Sequence, residues 1–170
     1  DRETAEIACR AAMTGHLVLS TLHTNDATSA PARLVDMGIE PYLINSSLLG
    51  VLAQRLVRRI CPECRQSITC VNHPYFADGT TLYEAKGCSA CGETGYKGRI
   101  GVYELFIMSE PIRRQVAQSA DSERIRGLCP HGTLFTMEQQ ARDLILAGAT
   151  TVDEVLGQIY MTPMVHQQAA

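Results

Sequence analysis

The run Leu17-Val18-Leu19-Ser20-Thr21-Leu22 is short, largely apolar and free of alternation. A strand buried on both faces of a parallel sheet looks like this, although periodicity alone leaves a buried helix open. Just upstream, residues 3–14 have helical spacing. Glu3, Glu6 and Arg10 share one face, Ala5, Ala8 and Ala12 another, and Gly15 is placed to end the helix. A helix followed at once by such a strand is half of an α/β repeat, so the fold class expected is α/β.

Working outward, Asn25 or Asp26 is placed to cap a helix running to Met37, with Gly38 as its stop. Pro31 would cost about 3 kcal/mol inside that helix, which moves the expected start toward Ser29. Pro41 suits the first position of another helix, continuing to about Leu52. Residues 54–60 fit either a strand or the end of that helix. From Cys61 to Ile100 the texture changes to Gly, Pro, Asn, Asp and Thr, with little to build a core. Residues 101–108 read as a strand, followed by helices capped by Ser109 and Asp121. Leu134, Met137, Ala141, Leu144 and Ile145 mark the apolar face of a longer helix closed by Gly148. Thr151-Val-Asp-Glu154 is a capping box opening the last helix, and the tail after Pro163 is expected to be loose.

Composition narrows the function. In 170 residues, Lys+Arg is 15 and Asp+Glu 18, a net charge of −3 that carries no overall electrostatic footprint for nucleic acid or an anionic membrane. Apolar runs such as Leu48 to Ala53 fall far short of the roughly 20 residues of a membrane span. The chain opens on Asp-Arg-Glu-Thr without Met, as a piece of something longer would. Its seven cysteines are odd in number and close-set, which fits a reducing compartment better than a disulfide framework.

Four of those cysteines carry the strongest chemical signal. Cys61, Cys64, Cys88 and Cys91 form C-x2-C-x23-C-x2-C, in which two knuckles each supply one edge of a tetrahedral zinc site. Four thiolates leave no open position, so such a zinc is structural. Redox or free buried thiols are the alternative reading, and Cys70 and His73 are rivals for one ligand position. Cys9 and Cys129 read as small hydrophobes. A second cluster, His23-Thr24-Asn25, lies where an open α/β sheet binds ligands, beyond the carboxyl end of a strand. It fits equally a helix cap beside an interior histidine. Arg55, Arg58 and Arg59 form a basic run that could clamp phosphate or simply face solvent.

Those residues, with their neighbours, resemble the type II secretion and type IV pilus assembly ATPases. The resemblance rests on Asp1-Arg-Glu-Thr-Ala-Glu-Ile-Ala8, Thr14-Gly-His-Leu-Val-Leu-Ser-Thr-Leu-His-Thr-Asn-Asp26, Asp36-Met-Gly-Ile-Glu-Pro-Tyr-Leu43 and Val51-Leu-Ala-Gln-Arg-Leu-Val-Arg-Arg59. It continues through Cys61-Pro-x-Cys64, Gly87-Cys-x-x-Cys91 and Gly95-Tyr-x-Gly-Arg-x-Gly-Val-Tyr-Glu104, covering residue 1 to about 160. The four-cysteine module is similar to that of the secretion and pilus-extension branch.

The resemblance implies the C-terminal portion of a RecA-like ATPase core over 1–60, a four-cysteine zinc module over 61–100, and a strand and small helical domain over 101–160; residues 161–170, beyond it, are read as a flexible tail. It implies His16 and His23 as histidine-box residues, with His23 nearer the γ-phosphate, and Arg55 and Arg58 as nucleotide or interface arginines. ATP and Mg are implied as ligands of a longer parent. So are a hexamer, inner-membrane platform proteins as partners, pilin or pseudopilin as cargo, and a cytoplasmic place at that membrane. Nucleic acid and a membrane span are not implied. No G-x-x-x-x-G-K-[ST] occurs in the chain, so these 170 residues alone are expected to be inactive. A stand-alone zinc ribbon or a non-hydrolysing regulator are the alternatives. Residues 70–83 follow no family pattern, and Pro31 is unusual in its helix.

Overall fold

The computed structural model describes residues 1–129 and 136–164. The chain is mixed α/β and divides into two compact units, Asp1–Ala53 with Glu104–Phe135, and Gln54–Tyr103 with Thr136–Ala170.

The first unit opens with α1 (Arg2–Met13), capped by Asp1, whose carboxylate accepts the Thr4 N–H at 2.8 Å. The Glu6–Arg10 pair forms on its exposed face as spaced, 2.7 Å apart. The opposite, small-residue face lets Ala5 and Cys9 pack toward the core, where α1 meets α3 (Pro41–Ser47). Helix α2 (Ala30–Asp36) is capped at Ser29, which places Pro31 in the first turn where its missing N–H costs nothing. Helix α3 begins on Pro41 as expected but stops at Ser47, five residues short of Leu52, because the chain turns extended at Leu48. Strand β1 (Gly50–Ile60) follows directly, so residues 54–60 are strand, and a Cβ at Gly50 would lie 2.8 Å from the Phe106 carbonyl.

Leu17–Leu22 departs most from expectation. Among the described residues it pairs with no strand, and it lies open, Leu17 78% and Leu19 88% exposed. A strand apolar on both faces needs neighbours on both edges and a layer over each face. The described sheets are two-stranded, β1 with β4 (Tyr96–Ile107) and β2 (Arg65–Thr69) with β3 (Thr81–Ala85), and neither recruits it. The parallel sheet expected here is therefore not formed by these residues.

Strand β4 starts five residues earlier than its apolar pattern suggested and alternates strictly from Val102 to Met108. Its inward Phe106, with Met108 just past its end, joins Ile39, Leu43, Ile44, Ile112, Val116 and Ile125 in the first unit's core. Ile112 and Val116 come from α4 (Glu110–Gln118), Ile125 from α5 (Ser122–Gly127). In the second unit, α6 (Met137–Leu146) buries Met137, Ala141 and Ile145, and α7 (Val152–Leu156) buries Val155. Leu134, assigned by sequence to the face of α6, lies outside the described residues. The start of the expected tail is held: Met161 is buried, and the Met164 N–H donates to the Pro74 carbonyl at 2.7 Å. Residues 165–170 lie outside the described residues.

One inward residue of β4 is charged. Glu104 is 3% exposed and accepts the Ala27 N–H at 2.9 Å. Arg126 of α5 reaches Glu104 at 3.6 Å, Asp26 at 3.5 Å and the Thr28 hydroxyl at 3.1 Å. Burial raises the Asp26 carboxyl, but hydrogen bonds from Ser29 and Thr28 and the Arg126 charge outweigh it, leaving a net downward shift. The network fixes the turn at residues 26–28 against β4. Removing one partner of a buried, hydrogen-bonded pair strands the other. Glu104→Ala is therefore expected to lower unfolding stability by about 2–4 kcal/mol in urea melts, with Glu104→Gln milder because it keeps an acceptor for Ala27. An alanine variant within about 0.5 kcal/mol of the parent would remove this network from the account of the fold.

Candidate metal centre and nucleotide-site residues

The second unit brings the two C-x-x-C knuckles together. The four sulfurs of Cys61, Cys64, Cys88 and Cys91 lie within 4.8 Å of one another. Cys61 Sγ is 3.9 Å from Cys88 Sγ, Cys64 Sγ is 3.9 Å from Cys91 Sγ, and the Cys88 and Cys91 sulfurs are 3.7 Å apart. Sulfurs at the corners of a tetrahedron, each about 2.3 Å from a central zinc, lie about 3.8 Å from one another. The observed spacing fits that geometry and is far too long for a disulfide; all seven cysteines are free. Four sulfurs so placed could hold a metal ion.

Local chain geometry explains the convergence. Cys61 follows the last residue of β1, and its N–H donates to the Gly95 carbonyl at 2.9 Å, next to the start of β4. The first knuckle closes with the Cys64 and Arg65 N–H groups on the Cys61 carbonyl. In the second, a 3₁₀ turn over Ser89–Cys91 ends on Gly92. The Cys91 sulfur accepts N–H groups from Cys88 and Gly95, each at 3.2 Å. Desolvation pushes the Cys91 thiol up, but these donors prevail and bring it down to about 6. Desolvation, reinforced by neighbouring thiols, pushes Cys64 up to about 12 and raises Cys88. The N–H groups around Cys91 favour its thiolate, and a bound cation would favour the same form at Cys64 and Cys88, where desolvation opposes it.

Two features of this centre were not read from sequence. The antiparallel β2–β3 hairpin, Arg65 opposite Ala85 through Thr69 opposite Thr81, fills the long span between the knuckles. Gly95, at φ 77°, lies so close to Ala85 that a Cβ would come within 2.7 Å of it; its place in the Gly95-Tyr-x-Gly pattern was the available signal. The rival ligands lie outside the cluster. Cys70 is buried with its backbone bonded to Thr80 and Gly79, and His73 accepts the Tyr75 N–H and packs near Phe76.

The nucleotide candidates are not assembled into a site. His16 is exposed in the turn after α1, its Nδ1 3.0 Å from the Thr14 hydroxyl. His23 is exposed in irregular chain, ends no strand, and makes no hydrogen bond among the described residues. Both belong to the first unit; Arg55 and Arg58 belong to the second. Arg55 is half-buried, with Nη1 3.3 Å from the Gln54 carbonyl. Arg58 is engaged: its Nε and Nη2 meet Glu154 Oε2 at 2.7 and 2.5 Å, its N–H donates to Oε1, and its guanidinium stacks 4.1 Å over Tyr96. Arg58 holds the Glu154 carboxyl below its usual range, against a smaller opposing effect of burial. A carboxyl depressed in the fold stabilises it above the ordinary carboxylate range and loses that contribution on acidification.

Comparison with known proteins decides the family. A model of the type II/IV secretion system protein family matches residues 1–157. The chain belongs to that family. It is 49% identical over 156 residues to the type II secretion system protein HxcR of Pseudomonas aeruginosa, covering 92% of this chain and 31% of that protein. It is 40% identical over 164 residues to the type IV pilus assembly ATPase PilB of Thermus thermophilus, covering 92% of this chain and 18% of that one. The chain thus spans at most about a third of these family members. Among solved structures, it is similar to the pilus retraction motor PilT bound to ADP, with a TM-score of 0.62 and 26% identity, over 94% of this chain and 37% of PilT. In the matched set, family members are named as secretion proteins and as pilus ATPases, and no described helix of this chain is long and apolar enough to cross a membrane.

The metal centre yields the prediction for this region. Protein purified without chelator is expected to carry one tightly held divalent ion per chain, and Cys88→Ser to lose it. Because each ligand must be a thiolate, lowering the pH adds protons to the sulfurs and releases the ion. Stripping it should loosen the chain around Arg65, Lys86 and Lys97, whose side chains are already exposed, and let trypsin cut there. Metal-free protein with unchanged protease resistance would refute a structural ion.

Proposed function

We propose that the chain acts as the C-terminal part of a RecA-like motor ATPase of type II secretion or type IV pilus assembly. The observation that carries this reading is the match of residues 1–157 to one family model, together with secretion and pilus relatives 40–49% identical over 92% of the chain. On this reading residues 1–60 complete an ATPase core, 61–100 form a structural zinc module on Cys61, Cys64, Cys88 and Cys91, and 101–160 supply the C-terminal strand and helices. The whole motor binds ATP with Mg and works as a hexamer on the cytoplasmic side of the inner membrane. It docks on platform proteins there and moves pilin-like subunits.

His23 carries the chemical part of the proposal. Phosphoryl transfer depends chiefly on positioning and on meeting charge that develops in the transition state. An exposed imidazole with no partner among the described residues is available for that work once the rest of the core surrounds it. His16, bonded within its own turn, suits an interface or relay role. Arg55 and Arg58 are proposed as interface arginines, Arg58 acting through the ion pair that already orients it.

The experiment has two arms. The 170-residue chain alone should turn over no ATP, since it lacks a P-loop to hold the triphosphate. In a protein extended to the length of its relatives, His23→Ala should leave ATP affinity within about twofold while kcat falls by about 10²–10³. Wild-type turnover in that variant would reduce His23 to a packing residue, and hydrolysis by the isolated chain would overturn the assignment of these residues as part of a larger motor.

A further inference from the structure

We propose that a basic pocket in the second unit, beside the metal centre, binds a phosphate-bearing anion. The pocket has a volume of about 420 Å³ and is lined by Arg59, Arg65, Lys97, Pro62 and the turn Ala147–Ala149. Pockets of roughly 300–1,000 Å³ accept small-molecule ligands.

Its charge is what points to an anion. Three cations line it and no acidic side chain does, in a chain whose net charge is −3. Three other cations of this unit are paired: Arg58 with Glu154, Lys86 with Glu84 and Arg142 with Glu138. Among the described residues Arg59, Arg65 and Lys97 form no ion pair and their side chains donate no hydrogen bond. Like charges gathered without a counterion repel one another, a cost that a bound anion turns into attraction.

The adjacent helix end does not consume these donors. The carbonyls of Asp143, Leu144 and Ile145 near the end of α6 are taken by the N–H groups of Ala147, Ala149 and Gly148, each at 2.9 Å. The Ala149 carbonyl is taken by Ile60 N–H at 3.0 Å. The pocket wall is also ordered. Gly148, at φ 68°, lies against the Tyr83 ring, where a Cβ would approach to 2.7 Å. The Arg65 guanidinium lies over the same ring, 5.2 Å from the Tyr83 centroid. A guanidinium is planar, and its fork of N–H groups is suited to grip phosphate oxygens in pairs.

The shared chemistry is a phosphate group, supplied either by a soluble phosphate compound or by a lipid headgroup. The test uses the metal-loaded 170-residue chain and sodium pyrophosphate as the calorimetric probe at low salt. Arg59→Gln/Lys97→Gln, two exposed and unpaired positions, should keep the parent's melting temperature and weaken pyrophosphate binding at least tenfold. Arg33→Gln/Arg124→Gln removes the same charge from the first unit and should change it less than twofold. Vesicles of phosphatidylcholine with phosphatidylglycerol form the second arm. Competition with pyrophosphate on the parent but not on the pocket variant assigns a lipid headgroup; absence of competition assigns a soluble phosphate compound. No saturable pyrophosphate binding by the parent, or equal weakening in both double variants, would overturn the proposal.

Discussion

Four sulfur atoms gathered within 4.8 Å of one another are the constraint on which the second unit depends. The span from Cys61 to Cys91 has few large apolar side chains, and both faces of β2 are exposed. Burial there is confined to residues such as Cys61, Cys70, Phe76 and Leu82. A segment so poor in core cannot offset the entropy of ordering it, and a structural metal is one of the few devices that can. Around the sulfurs the backbone is already committed: N–H groups from Cys88 and Gly95 point at Cys91, and the end of β1 is tied to Gly95. The ordered pocket wall of Tyr83 and Gly148 stands on that same frame.

Local chemistry was legible in the sequence wherever a residue's partner lay within a few positions. Asp121 accepts the Arg124 N–H and Thr151 the Glu154 N–H, as their cap positions required. Pro41 opens α3, and the C-x-x-C spacing alone picked out the four cysteines whose sulfurs cluster. Ser109 shows the limit of the rule: it occupies the cap of α4, yet makes no cap bond, and its hydroxyl is buried without a partner among the described residues.

Long-range features were not legible, for physical reasons that differ from place to place. The β2 strand has no apolar alternation and is exposed throughout, so no buried face marks its pairing with β3 in the sequence. Glu104 sits at an inward position that the pattern reserves for an apolar residue; its partners, Ala27 and Arg126, are far away in sequence. Leu17–Leu22 teaches the opposite lesson. Its apolar pattern describes surroundings that the described residues do not provide, so the pattern was read correctly as a demand and wrongly as a structure. The candidate histidine at residue 23 inherits that difference, since it was placed by the end of a strand that does not form.

The contact of Arg126 with both Asp26 and Glu104 restricts how this sequence can drift. Losing Arg126 first leaves two carboxylates without the cation they share; losing Glu104 first leaves the Ala27 N–H and part of Arg126 unmatched. Either order passes through an intermediate less fit than both ends, so the positions are expected to change as a set and not one at a time. Recombination feels the same barrier. A chimaera taking residues 1–53 from one lineage and 104–129 from another would inherit a mismatched triangle at its centre, even where every surface residue is interchangeable.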